Sequence, residues 1–175
     1  MKRSLLLGIA GFATCFVLPA KAPADLAETN SRKTAVAFTL TDSKGATVKL
    51  SDYKGRVVLL DFWGTFCGVC KTEIPWFIEF QNKYKDSGLS VIGVSLDKDW
   101  NAVKPYVQEK KINYTVVIGN WDLANRFGIV NALPGTLLID RDGRVAELHV
   151  GMVNKERFEN EVRLLLKDSA SNRLN

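Results

Sequence analysis

Apolar and polar residues alternate, run together and then recur at helical spacing along this chain, and each change of period marks an element. Residues 36–40 alternate as a half-buried strand does, 42–45 supply turn residues, and 47–50 return as the second strand of a hairpin. Residues 51–55 read as a short helical turn ended by Gly55. The run 57–63 is apolar apart from Asp61, the pattern of a strand buried on both faces. Beyond it, Ile74, Phe77, Ile78, Phe80 and Tyr84 recur at helical spacing within 71–87, and Pro75 inside the stretch predicts a kink. A second buried strand follows at 89–96, then a helix over 100–111 that Asp99 can cap, with Ala102, Val103, Tyr106 and Val107 on its apolar face. Residues 114–118 read as a short strand and 121–127 as a short helix ending near Gly128. Residues 135–140 and 145–150 form a hairpin about the turn 141–144, and Asn154 caps a last helix to 167 with Phe158, Val162, Leu165 and Leu166 as its stripe. Strands alternating with helices, then a hairpin and a helix, predict an α/β fold with a mixed sheet flanked by helices.

The first residues depart from that pattern. Lys2 and Arg3 precede an apolar stretch over 5–18, followed by Pro19 and a small-residue run over 20–24. This is the order of charged region, apolar region and cleavage site in a secretory signal. Ala22 and Ala24 fit the small positions of the site, which predicts cleavage before Asp25 and a chain working in the periplasm or at the outside of the cell envelope. The apolar run is short of the about 20 residues a spanning helix needs; an uncleaved membrane anchor is the alternative. Residues 25–33 form a polar lead-in, and 36–168 then read as one domain with no internal repeat or low-complexity tract.

Charge changes the picture little. The formal +5 comes from 24 basic against 19 acidic residues; without the signal's Lys2, Arg3 and Lys21 it is 21 against 19. With no stripe of Lys and Arg interleaved with aromatics, this excludes a nucleic-acid footprint. A monomer is expected.

Chemistry concentrates at 63–70, where Cys67 and Cys70 stand three positions apart just after the buried run. The first cysteine should lie where a strand ends and a helix begins, so free backbone N–H groups and the helix dipole favour its thiolate, the species that attacks disulfides. The second, one turn in, is near enough to close an intramolecular disulfide and release what the first has captured. The only other cysteine is Cys15 and the only histidine is His149, so Cys and His cannot assemble a four-ligand zinc site within one chain. Cys15 reads as an apolar residue of the discarded signal, because Thr14 and Phe12 stand where lipid modification needs a small and a branched aliphatic residue. A purely structural C-x-x-C bridge closes too small a loop to constrain the unfolded chain much. Redox chemistry is the reading, with an inert disulfide or two-thiol metal binding as alternatives. His149, in an alternating strand, reads as a plain surface or edge histidine.

On these residues the chain resembles the thioredoxin fold and, within it, the TlpA/ResA-like thiol–disulfide oxidoreductases. The resemblance spans about 36–166 and rests on Asp61, Phe62 and Trp63, on Cys67 and Cys70 with Glu73 and Pro75 after them, and on Leu133 and Pro134 before the strand ending at Asp140. The N-terminal hairpin fits the family, and the helix and strand over 100–118 look like the insertion that distinguishes it from minimal thioredoxins. The resemblance implies an exposed nucleophile at Cys67, a buried resolving thiol at Cys70 and a redox-active disulfide between them. It implies a cis-proline at Pro134 beside the pair, which would leave the backbone of Leu133 to dock an extended substrate. Trp63 and Phe66 would help to form that substrate surface, Phe66 standing where a Trp is usual. Glu73 matches the acid of reducing members, and Asp61 the buried acid that takes the proton of the resolving cysteine; this chain has both.

The dipeptide Gly68-Val69 carries neither charge nor histidine to stabilise the thiolate further, which argues against a strong oxidant. The resemblance therefore implies a periplasmic disulfide reductase with no metal or organic cofactor. Its substrates would be disulfide-containing proteins, apocytochrome c among them, and a membrane electron donor would re-reduce it. Two rival classes stand beside this one. A thiol peroxidase would need a Pro ahead of Thr65 and an Arg nearby. A copper- or partner-binding module would bind without turnover.

Overall fold

The structure is a computed structural model that describes residues 26–171, with side chains to Asp168; the signal at 1–24 and Cys15 lie outside the described residues. The alternating segment after the lead-in pairs over only part of its length. β1 (Thr39–Thr41) runs antiparallel to β2 (Thr47–Lys49), so the strand expected from residue 36 is paired as a ladder only from Thr39, and the residues ahead of it reach the turn over 141–144. Thr34 bridges Arg144, and the Ala35 amide donates to the Gly143 carbonyl at 2.9 Å. Ala35 and Phe38 are drawn into the core, and the Phe38 carbonyl still accepts from the Leu50 amide at 3.4 Å.

After a 3-10 turn at Leu50–Tyr53 come the sheet and helices: β3 (Val57–Trp63), α1 (Cys70–Tyr84), β4 (Leu89–Ser95), α2 (Trp100–Glu109), β5 (Thr115–Ile118), α3 (Trp121–Arg126), β6 (Gly135–Ile139), β7 (Val145–Val150) and α4 (Lys155–Ser171). The order across the sheet is β5-β4-β3-β6-β7, with β3, β4 and β5 parallel and β6 and β7 antiparallel to their neighbours. Every residue of β3 and β4 is buried, as continuous apolar runs require when both faces are covered.

Helix ends follow local chemistry. Asp99 accepts from the Asn101 amide, Asn120 from the Leu123 amide and Asn154 from the Arg157 amide, satisfying donors left free in the first turns of α2, α3 and α4. α1 continues as one helix through Pro75. The odd positions of β3, Val57 and Leu59, meet Phe77 and Phe80 of α1 and Phe158 and Val162 of α4. The even positions, Val58, Leu60 and Phe62, meet the β1–β2 hairpin and α3 through Val48, Leu123 and Phe127. The fold is thioredoxin-like: a mixed five-stranded sheet flanked by helices, with an N-terminal two-stranded hairpin.

Candidate active site

The two cysteines lie at the C-terminal end of β3, where the chain turns into α1. Cys67 is half-buried and Cys70, at 1% exposure, is enclosed; they are joined as a disulfide with Cα atoms 5.4 Å apart. Cys70 is the first residue of α1 and not one turn inside it, so the pair straddles the helix start. Its amide donates to Sγ of Cys67 at 3.2 Å. That contact aims an otherwise free N–H at the atom that would carry thiolate charge.

The loop before Cys67 is held by a residue the sequence reading did not single out. Asp97, just beyond β4, accepts from the Thr65 amide at 2.8 Å, the Thr65 hydroxyl at 2.5 Å and the Ser95 hydroxyl at 2.7 Å. An acid two residues past a buried strand, facing a Thr two residues before a cysteine, was the available signal, but only the parallel pairing of β3 with β4 brings them together.

Leu133 and Pro134 are joined by a cis peptide bond. Leu133 is half-buried against the cluster containing Trp63 and Cys70, which Cys67 also touches. The Pro134 carbonyl accepts from the Gly151 amide at 2.8 Å, tying this loop to the residue after β7. Phe66 stands 63% exposed, with its ring folded over Gly64; a Cβ there would lie 2.5 Å from it. Val69, Val130 and Met152 are also exposed apolar residues.

Trp63 corrects an expectation. The resemblance implies that it touches substrate, yet it is wholly buried, packed with Cys70, Ile74 and Val103 and tilted against Tyr106. A strand covered on both faces keeps its side chains inside, so Trp63 backs the cysteines and presents no surface. The indole lies over Gly93 of β4, where an added Cβ would stand 2.9 Å from its Nε1 and 3.2 Å from the Tyr114 ring.

Both acids named from the sequence are buried on the α1 side of the sheet. The Thr136 hydroxyl donates to Asp61 at 3.4 Å. Burial, and secondarily the nearby Glu73, pushes the Asp61 carboxyl well above its ordinary value. Glu73, one turn along α1 from Cys70, accepts from the Val153 amide at 3.3 Å. Burial raises it to about 7, against the opposing pull of that hydrogen bond and of His149. His149 is likewise buried and not a surface histidine, because α4 covers the face of β7 on which it lies. A dithiol at a helix start, with two buried acids of raised pKa on the same side of the sheet, is equipped to exchange disulfides and to hold or take up a proton near neutral pH.

Comparisons with known proteins agree with this chemistry. The model of the AhpC/TSA family matches residues 32–148. The thiol-disulfide oxidoreductase ResA of Bacillus thuringiensis (strain Al Hakam) is 35% identical over 158 residues, 90% of this chain and 91% of its own. A DsbE-type thiol:disulfide interchange protein of Chlorobium tepidum superposes with a TM-score of 0.73 at 35% identity, over 77% of this chain and 96% of its own. A secreted thiol-disulfide isomerase of Corynebacterium glutamicum, 20% identical with a TM-score of 0.75 over 87% of this chain and 96% of its own, shares the fold. The chain belongs to the thioredoxin-like AhpC/TSA family and is a ResA-like thiol–disulfide oxidoreductase with a Cys67–Cys70 C-x-x-C disulfide.

Proposed function

We propose that this oxidoreductase runs as a reductase of protein disulfides outside the cytoplasm. The observation that carries the direction is Glu73, an acid buried one turn from Cys70 with a pKa raised to about 7, with only the uncharged Gly68-Val69 between the cysteines. A carboxylate there opposes a second negative charge on sulfur. It therefore disfavours the strongly stabilised thiolate that makes a dithiol an oxidant.

The reaction balances without a cofactor. Cys67 thiolate attacks one sulfur of the substrate disulfide, a mixed disulfide forms, and the first substrate thiolate leaves. Cys70 gives its proton to a buried carboxylate, Glu73 or Asp61, and its thiolate attacks Cys67 Sγ. The Cys67–Cys70 disulfide closes and the second substrate thiol is released; two electrons have passed from dithiol to substrate. The exposed apolar side chains of Phe66 and Val69, with the backbone of Leu133 beside the cis-proline, suit an extended polypeptide laid across Cys67.

Export is supported by the charged, apolar and small-residue order of residues 1–24. An oxidising compartment requires a donor to return the disulfide to the dithiol. By the family resemblance that donor is a membrane electron conduit, and the favoured substrate is the oxidised C-x-x-C-H segment of apocytochrome c.

Replacing Cys70 by Ser should trap the substrate on Cys67 as a mixed disulfide, which mass spectrometry of the captured proteins in the native host identifies. Apocytochromes on Cys67 would support the maturation role, and a broad set of envelope proteins would replace it with general reduction. A reduction potential near the roughly −120 mV of the strong oxidant DsbA would reverse the assigned direction.

A further inference from the structure

Gly64 and Gly68 flank Cys67, and neither has the positive φ that would call for a glycine. Gly68 lies in open space, with nothing within 4 Å of an added Cβ. Gly64 is different. It is buried, and a Cβ there would lie 2.5 Å from Cε1, 2.7 Å from Cζ and 3.1 Å from Cδ1 of the Phe66 ring. Carbon atoms pack at about 3.5–4.0 Å, so the ring occupies the place a side chain would take. The backbone at Gly64 would accept any residue; the ring accepts only a bare Cα.

The chain on either side of Phe66 is fixed. Trp63 is wholly buried, and its carbonyl accepts from the Leu96 amide at 2.8 Å. Asp97 holds Thr65 by amide and hydroxyl, and the Cys67 amide donates to the Gly64 carbonyl at 3.0 Å, closing a turn over 64–67. What Phe66 keeps is rotation about its side-chain bonds, and contact with Gly64 selects one orientation. The ring is seated there, yet Phe66 retains 63% exposure beside Cys67. Register pairs Phe62 with Gly135 and Gly135 with Val150, so exposed Val150 and Met152 stand at the same end of the sheet.

We propose that Gly64 is a positioning residue. By lacking a side chain it seats the Phe66 ring as a preformed apolar platform beside Cys67, and the platform takes an apolar side chain flanking the disulfide of a polypeptide substrate. This rests on the reading above that an extended polypeptide docks across Cys67. A ring already held in place loses little rotamer freedom on binding, so the seating favours disulfides with apolar neighbours.

Gly64→Ala tests it, because the methyl group displaces an exposed ring that can swing into solvent and leaves an ordinary backbone unstrained. The pre-reduced protein is mixed in stopped flow with two synthetic peptides, each closed by a disulfide, whose cysteines are flanked by Leu in one and by Ser in the other. The ratio of the two rate constants is the readout. In Gly64→Ala the preference for the Leu peptide should fall about threefold. Phe66→Ala should lower it at least as far, and the double variant no further than Phe66→Ala alone. Proton NMR reads the seating directly: the ring current shifts a Gly64 Hα resonance upfield, and Phe66→Ala abolishes that shift. An unchanged preference in Gly64→Ala overturns the proposal while docking stands. A Gly64→Ala loss that persists in full in the Phe66→Ala background acts through the loop and not the ring, and overturns it too. So does a Gly64 Hα resonance that ignores removal of the ring. Peptides that react no faster than hydroxyethyl disulfide would remove the docking reading itself, and the proposal with it.

Discussion

Asp97 grips Thr65 at two points, accepting from its amide with one carboxylate oxygen and from its hydroxyl with the other. The clamp joins the C-terminal ends of two parallel strands and fixes the start of the loop that presents Cys67. Replacing Asp97 by Ala should cost about 1.5–3 kcal/mol, the range for hydrogen bonds to a charged group. It should also slow reduction of a model disulfide severalfold. Urea unfolding and exchange kinetics check the two effects separately. A destabilised variant that exchanges at the original rate would show that the clamp serves the fold alone.

Glu73 predicts a pH-dependent stability. Its folded pKa of about 7 lies above the ordinary 4.5, so between those values the folded protein binds more protons than the unfolded chain. Stability contributed by the protonated acid is full below about 4.5 and is lost as pH rises through 7, an effect on the order of 2–3 kcal/mol. Asp61, shifted the same way, adds to the slope. Glu73→Gln should flatten the fall measured by urea unfolding between pH 5 and pH 8. An unchanged slope would mean that Glu73 ionises as an ordinary carboxylate.

Asp61→Asn separates the two candidate proton acceptors. Removing an acid whose ionised form is disfavoured by burial should raise the melting temperature at pH 7 by a few degrees, in line with about 1–2 kcal/mol. Stopped-flow release from the mixed disulfide then assigns the role: the variant, Asp61→Asn or Glu73→Gln, that slows the Cys70 step identifies the acceptor. Release at the original rate in both variants would take both acids out of that step.

Gly93 is constrained by Trp63 and Tyr114. Gly93→Ala would push a methyl group against the indole nitrogen and the phenol ring, both in a buried cluster. Overpacking of this kind costs about 1–3 kcal/mol. Calorimetry should show the loss, with near-ultraviolet circular dichroism reporting a moved Trp63. An unperturbed melt would mean that the cluster yields freely.

Phe66 makes the opposite prediction. Because its side chain is largely exposed, Phe66→Ala should leave stability within about 0.5 kcal/mol. The KM for a polypeptide substrate should rise severalfold, while the rate with a small disulfide stays near its original value. A change in both alike would place Phe66 in the thiol chemistry and not in docking.

Most of the framework was legible along the chain. Doubly buried strands declare themselves as largely apolar runs, and the caps read at Asp99 and Asn154 work through contacts two or three residues away; the cap at Asn120 was not read. The cysteines could be read because C-x-x-C carries its own chemistry and the nearest competing ligands could be counted. His149 could not, since alternation in β7 separates two faces without saying that α4 will cover one of them. Trp63 failed for the related reason that adjacency to a reactive residue does not reveal which way a buried strand turns its side chains.

The sequence by itself determined the elements and the redox pair, because period, capping and thiol chemistry act over a few residues; the proline beside the pair came from the family resemblance. Only the tertiary structure decided which distant polar groups are buried together on the helix-covered face of the sheet. Strand register set Asp61, Thr136 and His149 in one row, and α1 and α4 lowered Glu73 and Glu161 onto it. Burial there raises Asp61 and Glu73, and neighbouring charges adjust each shift. Those shifts depend on desolvation and on distances across the fold, neither of which spacing along the chain contains.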